Sequence, residues 1–207
     1  MRQRLGFHAV LGATVIVLSF TTGTIGIAQA PLAIDSARIT ITGTSNIHPY
    51  TASTTSVRIV HLQLGQHTGP DVFEHLLEPG AVDAFEVAIP AATLTSPREG
   101  LDKNMHKALK VQEQAEITFR LVRLEANPAN DGTARAIGVL RVAGVEREVA
   151  VDITTRRDGA TLVVQGQLDL LMTDYGIAPP KAMLGMLKTD PKVTVTFETR
   201  FNQRTTS

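Results

Sequence analysis

Apolar and polar residues alternate along most of the chain after residue 35, the period-two pattern of strands that turn one face to a core. Ile39 and Ile41 share a face, with Arg38, Thr40 and Thr42 opposite. Phe85, Val87 and Ile89 repeat the pattern, as do Ile117, Phe119 and Leu121, then Val149, Val151 and Ile153. Leu162, Val164, Leu168 and Leu170 follow, and Val193, Val195 and Phe197 close the series. Two further runs are irregular. Val57 and Ile59 change phase to Val60, Leu62 and Leu64, as when a β-bulge inserts one residue and turns the following side chains over. Ala134 to Val142 is apolar on both parities. The total is about eight strands, the number at which a closed barrel encloses one small ligand. The fold class read from the pattern is therefore all-β.

Turn chemistry agrees. Asp158-Gly159 and Ala143-Gly144 separate consecutive strand patterns, and glycine there supplies the positive φ of a tight primed hairpin turn. One helix interrupts the strands. Ser96-Pro97-Arg98-Glu99 has the form of an N-terminal cap with proline at the first helical position. Leu101, Met105 and Leu109 then recur at spacing four on one face, and Asp102, Lys107 and Lys110 match the helix dipole. A short amphipathic helix across one barrel opening is expected.

Met1 to Ala28 reads as an export signal, with Arg2 and Arg4 at its start and an apolar stretch from Ala9 to Phe20. Cleavage after Ala28 or at the A-x-A form Ala28-Gln29-Ala30 sets the boundary between 28 and 33. The apolar run is short against the roughly 20 residues of a membrane span. This divides the chain into a leader, 1–28, and a barrel domain, 35–203, with no membrane span in the mature part. The expected location is periplasmic or extracellular.

The 207 residues carry 20 basic and 20 acidic side chains. Without Arg2 and Arg4 the mature chain has 18 against 20, which gives no concentrated positive charge for nucleic acid. With no cysteine, the exported fold rests on neither disulfides nor a lipidated thiol. Tryptophan is absent and aromatics make up 4%, so the core falls to Val, Ile, Leu, Phe and Ala. His61, His67 and His75 lack the spacing of a metal site. A G-x-S-x-G nucleophile elbow is also missing. Neither a metal, another cofactor nor a catalytic residue is expected.

Several blocks carry a resemblance. Met172-Thr173-Asp174-Tyr175-Gly176-Ile177-Ala178-Pro179-Pro180, Met183-Leu184-Gly185-Met186-Leu187-Lys188 and the run from Val193 to Glu198 occur in order. Gly100 to His106 and Ile117 to Leu121 precede them. The chain resembles the YceI-like family of exported, lipocalin-like proteins over most of its length after residue 35. The resemblance implies an eight-stranded antiparallel barrel around an apolar tunnel for a polyisoprenoid or similar fatty amphiphile. It also implies a helix between early and middle strands, a role for His106 at the barrel mouth, and leaves a homodimer open. The segment from Gly43 to Tyr50 resembles a branch of the family whose pattern continues with Asp and Trp, where this chain has Pro49 and Tyr50.

The lumen candidates are Ile41, Phe85, Val87, Phe119, Leu121, Val151, Leu168, Leu170 and Phe197. Met105, His106, Tyr175 and Met186 are placed nearer the mouth. Tyr175 also has a structural reading, a ring packed over a barrel end with its hydroxyl on a polar partner. Two other functions compete with lipid binding: a stress-response or interaction module whose barrel is filled by its own side chains, and a hydrolase acting on a lipid-like substrate.

Overall fold

The computed structural model describes residues 32–65, 71–127, 129–182 and 187–204. The expected leader, 1–28, lies outside them, as do Met183 and Met186 and the histidine at 67. The strands are β1 (Leu32–Ser45), β2 (Tyr50–Thr54), β3 (Arg58–Leu64), β4 (Val82–Pro90), β5 (Glu116–Ala126), β6 (Thr133–Val142), β7 (Val145–Asp158), β8 (Thr161–Leu171), β9 (Lys181–Ala182) and β10 (Leu187–Gln203). The helix α1 (Glu99–Ala108) lies between β4 and β5.

Nine of the strands form one antiparallel sheet in the order β2-β1-β10-β8-β7-β6-β5-β4-β3, and the two-residue β9 pairs only with β10. The sheet curls so that its terminal strands, β2 and β3, are neighbours in sequence, three residues apart. The expected eight strands are thus exceeded. The added full strand is β2, whose inward residues Ala52 and Thr54 are buried but offer no large apolar side chain to register as alternation.

The phase change read in β3 is present. Its register against β4 slips between Ile59 and His61, leaving Val60 as the extra residue, 46% exposed. A second bulge in β5 was not legible: the register against β6 slips between Leu121 and Arg123, and Val122 turns outward. Each bulge adds one residue, so Leu62 and Leu124 face the interior again. Pro191, which cannot donate to a ladder, falls where the β1–β10 register slips between Gly43 and Ser45.

Both tight hairpins form. Ala143 and Gly144 both have positive φ between Val142 and Val145, the type I′ arrangement. Between Asp158 and Thr161 the central residues are Gly159 and Ala160, with positive φ at Gly159.

The helix starts two residues later than its cap pattern implied. Ser96 Oγ accepts the Arg98 N–H at 3.1 Å, making a local turn, and Arg98 is the residue that precedes the helix. Asp102 Oδ1 reaches back to accept the Ser96 N–H at 2.7 Å, which ties the helix start to the preceding loop.

One barrel end is covered by residues 71–81, between β3 and β4. Val72 and Phe73 are buried there with Leu32, Leu162 and Phe201. The Asp71 carboxylate accepts the Phe73 N–H at 2.9 Å and pairs with Arg157 at 3.1 Å. The same guanidinium stacks over the Phe73 ring, 4.7 Å from its centre. The other end carries α1, the 45–50 turn and the 3-10 turn Met172–Tyr175.

Candidate functional site

The curled sheet surrounds a cavity of about 830 Å³, near the upper end of the roughly 300–1,000 Å³ typical of small-molecule sites. Its wall is overwhelmingly apolar and draws on every strand of the main sheet. The interior therefore holds an open cavity, which favours the tunnel over a barrel filled by its own side chains.

All nine lumen candidates line this cavity. Cross-strand register explains why they converge: Ile39 faces Phe197 and Ile41 faces Val195 across β1 and β10, and Val87 faces Phe119 across β4 and β5. Strands paired in this phase present one continuous apolar surface.

Three aromatic rings owe their positions to glycines on the inward parity. A side chain at Gly138 would overlap the Phe119 ring, one at Gly166 the Phe197 ring, and one at Gly43 the Tyr50 ring. Each ring occupies the space where a β-carbon would otherwise stand. Gly138 is also close to the Arg120 carbonyl, so relief there needs backbone movement.

The mouth candidates separate. Met105 lines the cavity from α1. Tyr175 also contributes to the wall, yet it is only 3% exposed and packs with Leu94, Leu109 and Ile177. Its hydroxyl is buried without a hydrogen-bond partner among the described residues, against the expectation of a polar partner. Burial, and secondarily the Asp174 carboxylate, raises its pKa above the ordinary tyrosine value, with Arg147 opposing. His106 is not part of the wall. Its Nε2–H donates to the Leu94 carbonyl at 2.8 Å and fastens α1 to the chain entering it. Met186 lies outside the described residues.

Sequence reasoning missed the rim. Ser45, His48, Ser96, Arg98 and Asn104 surround the opening between α1 and the 45–50 turn. Arg98 Nη1 donates to His48 Nε2 at 2.6 Å, and His48 Nδ1–H donates to the Pro49 carbonyl at 3.0 Å. Both contacts together require the neutral imidazole with its proton on Nδ1. Tyr50, under the same rim, has its pKa raised by burial and then by the Asp190 carboxylate. The only sequence signal for this rim was a polar cluster at 44–48 and the charged start of a helix.

Among the described residues no three His, Cys, Asp or Glu side chains converge as a metal site. His75 instead pairs with Glu78 at 2.8 Å. The ring contacts of His48 and His106 are to an arginine and backbone carbonyls, not to a serine and carboxylate.

Solved structures share this architecture at low identity. BcnA of Burkholderia cenocepacia matches with a TM-score of 0.62 and 12% identity over 79% of this chain and 95% of its own. A polyisoprenoid binding domain from Saccharophagus degradans gives 0.62 and 12% over 85% and 100%. A YCEI protein of Campylobacter jejuni gives 0.56 and 12% over 93% and 100%. No curated protein sequence matches the chain. The YceI-like domain model matches residues 17–201, and with the lined barrel this establishes that the chain belongs to the YceI-like family.

Proposed function

We propose that this chain is an exported binding protein, not an enzyme, that holds the hydrocarbon chain of an isoprenoid or other amphiphilic lipid inside its barrel. The observation that carries the reading is the cavity of about 830 Å³ with an apolar wall. Each methylene moved from water into such a wall contributes about 0.8 kcal/mol, so a long chain is held firmly with little polar recognition. Selection is then by length and shape. The neighbour from Saccharophagus degradans, a polyisoprenoid binding domain, supports the same ligand class. Export rests on the leader pattern of residues 1–28, and a periplasmic or extracellular location follows from it.

A displacement titration tests this. Purified protein is loaded with a fluorescent polyene fatty acid and competed with prenyl and acyl amphiphiles of increasing length. Affinity should climb with chain length and then level off as the cavity fills. Leu121→Trp, which places a larger ring inside the wall, should shorten the longest chain accepted without loss of folding. Failure of the folded wild type to take up any prenyl or acyl probe would overturn the proposal.

A further inference from the structure

Among the described residues that line the cavity, Arg98 is the one lysine, arginine or carboxylate side chain. Arg58, Arg123, Arg135, Arg156, Arg157 and Arg200 each meet a carboxylate, whereas among the described residues no ion pair joins Arg38, Arg120, Arg141, Arg147 or Arg204, none of which lines the cavity. Arg98 meets no carboxylate there, and donates instead to the neutral ring of His48. One such bond leaves most of the five N–H donors of a guanidinium for another acceptor.

The surroundings point the same way. Arg98 immediately precedes the ten-residue helix α1, whose dipole favours negative charge at this end, although the Leu101 and Asp102 N–H groups already donate to the Arg98 carbonyl at 2.9 and 3.2 Å. Gly100 also lines the cavity, and the space its side chain would take is open. Asn104 brings a further donor to the same rim. Nearby carboxylates are Glu99, Asp102 and Asp190. None of them belongs to the wall, and Asp102 is already engaged by the Ser96 N–H.

We infer that the amphiphile held by this barrel carries an anionic head group, a carboxylate or a phosphate, and that Arg98 binds it at the mouth beside the start of α1. This rests on the lipid-binding reading and adds an orientation to it: tail inward past Met105, head outward at Arg98. A planar guanidinium matches either oxyanion through paired hydrogen bonds.

The test uses one chain with three heads: geranylgeranyl phosphate, geranylgeranoic acid and geranylgeraniol, each competed against the same fluorescent probe. The anions should bind about tenfold more tightly than the alcohol, and added salt should narrow the gap. Whichever anion binds more tightly identifies the head. Arg98→Gln should lower the anions' affinity far more than the alcohol's and so abolish the anion preference, in a variant whose thermal unfolding shows it to be folded. Arg98→Lys should restore part of the preference. Equal affinity for all three heads in the wild type, or an anion preference that survives in Arg98→Gln, would overturn the head-group assignment and leave the cavity reading standing. If none of the three bound, both would fall.

Discussion

The two ends of the barrel are built on opposite principles. At the end formed by residues 71–81, buried Val72 and Phe73 fill the opening, and Arg157 clasps it through Asp71 and the Phe73 ring. At the α1 end, Leu171 is 43% exposed and Ile47 is 57% exposed, while polar side chains ring the opening. The first end is packed across, whereas the second packs Leu94, Leu109, Tyr175 and Ile177 to one side and keeps a polar-rimmed opening at the other. The same sheet is thus shut by core formation at one side and kept passable at the other. That asymmetry gives a chain-like ligand a direction.

The largest effect should come from opening the shut end. Phe73→Ala removes a buried ring and should cost about 3–5 kcal/mol in denaturant unfolding, whereas Leu171→Ser at the open end should stay within about 0.5 kcal/mol. Equal losses at both ends would abolish the distinction. Next comes the wall between them. Gly138→Val should cost about 1–3 kcal/mol by overpacking, since a side chain there meets both the Phe119 ring and the Arg120 carbonyl. It should also weaken ligand uptake, because the displaced ring moves into the lumen.

Tyr175→Phe has the opposite sign. Its buried hydroxyl lacks a partner among the described residues, so deleting the hydroxyl should leave stability unchanged or raise it by roughly 1 kcal/mol. A loss above about 1 kcal/mol would show that the hydroxyl is engaged. The pKa values of Tyr50 and Tyr175 are both raised, chiefly by burial. The unfolded chain releases these protons first, so stability is full below the unfolded tyrosine value of 10.0 and falls as pH rises through the folded values. A tyrosinate absorbance titration should therefore show less ionisation at pH 10 in the folded protein than in the unfolded chain.

The smallest effect concerns the clasp. Asp71→Asn weakens a partly exposed pair and should cost no more than about 1 kcal/mol, reduced further by salt. A larger loss would mean that this end is held by the ion pair more than by Phe73.

Much of this was legible because large apolar side chains at alternating positions fix both strand and face. The nine lumen candidates share the cavity for that reason. β2 was hidden because burial there falls on Ala52 and Thr54, too small or too polar to mark a face. The β5 bulge was hidden because Val122 is apolar yet exposed. The start of α1 was misplaced because Ser96 and Pro97 mimic a cap, while the residue that precedes the helix is Arg98 and Asp102 reaches back only to the Ser96 N–H. His106 was drawn toward the mouth by family resemblance, but its ring serves the backbone at Leu94. Arg98 escaped notice because nothing local separates a rim arginine from a solvated one. The absence of an acidic partner becomes visible only when distant segments are brought together.

The most direct test of the central claim is native mass spectrometry of the protein purified without detergent from a lipid-containing host, followed by solvent extraction and identification of the released molecule. The account predicts one amphiphile per barrel, displaced when Leu170 in the wall is replaced by Asp in a variant that remains folded. A protein that is empty as isolated, and stays empty when offered prenyl and acyl amphiphiles, would contradict it.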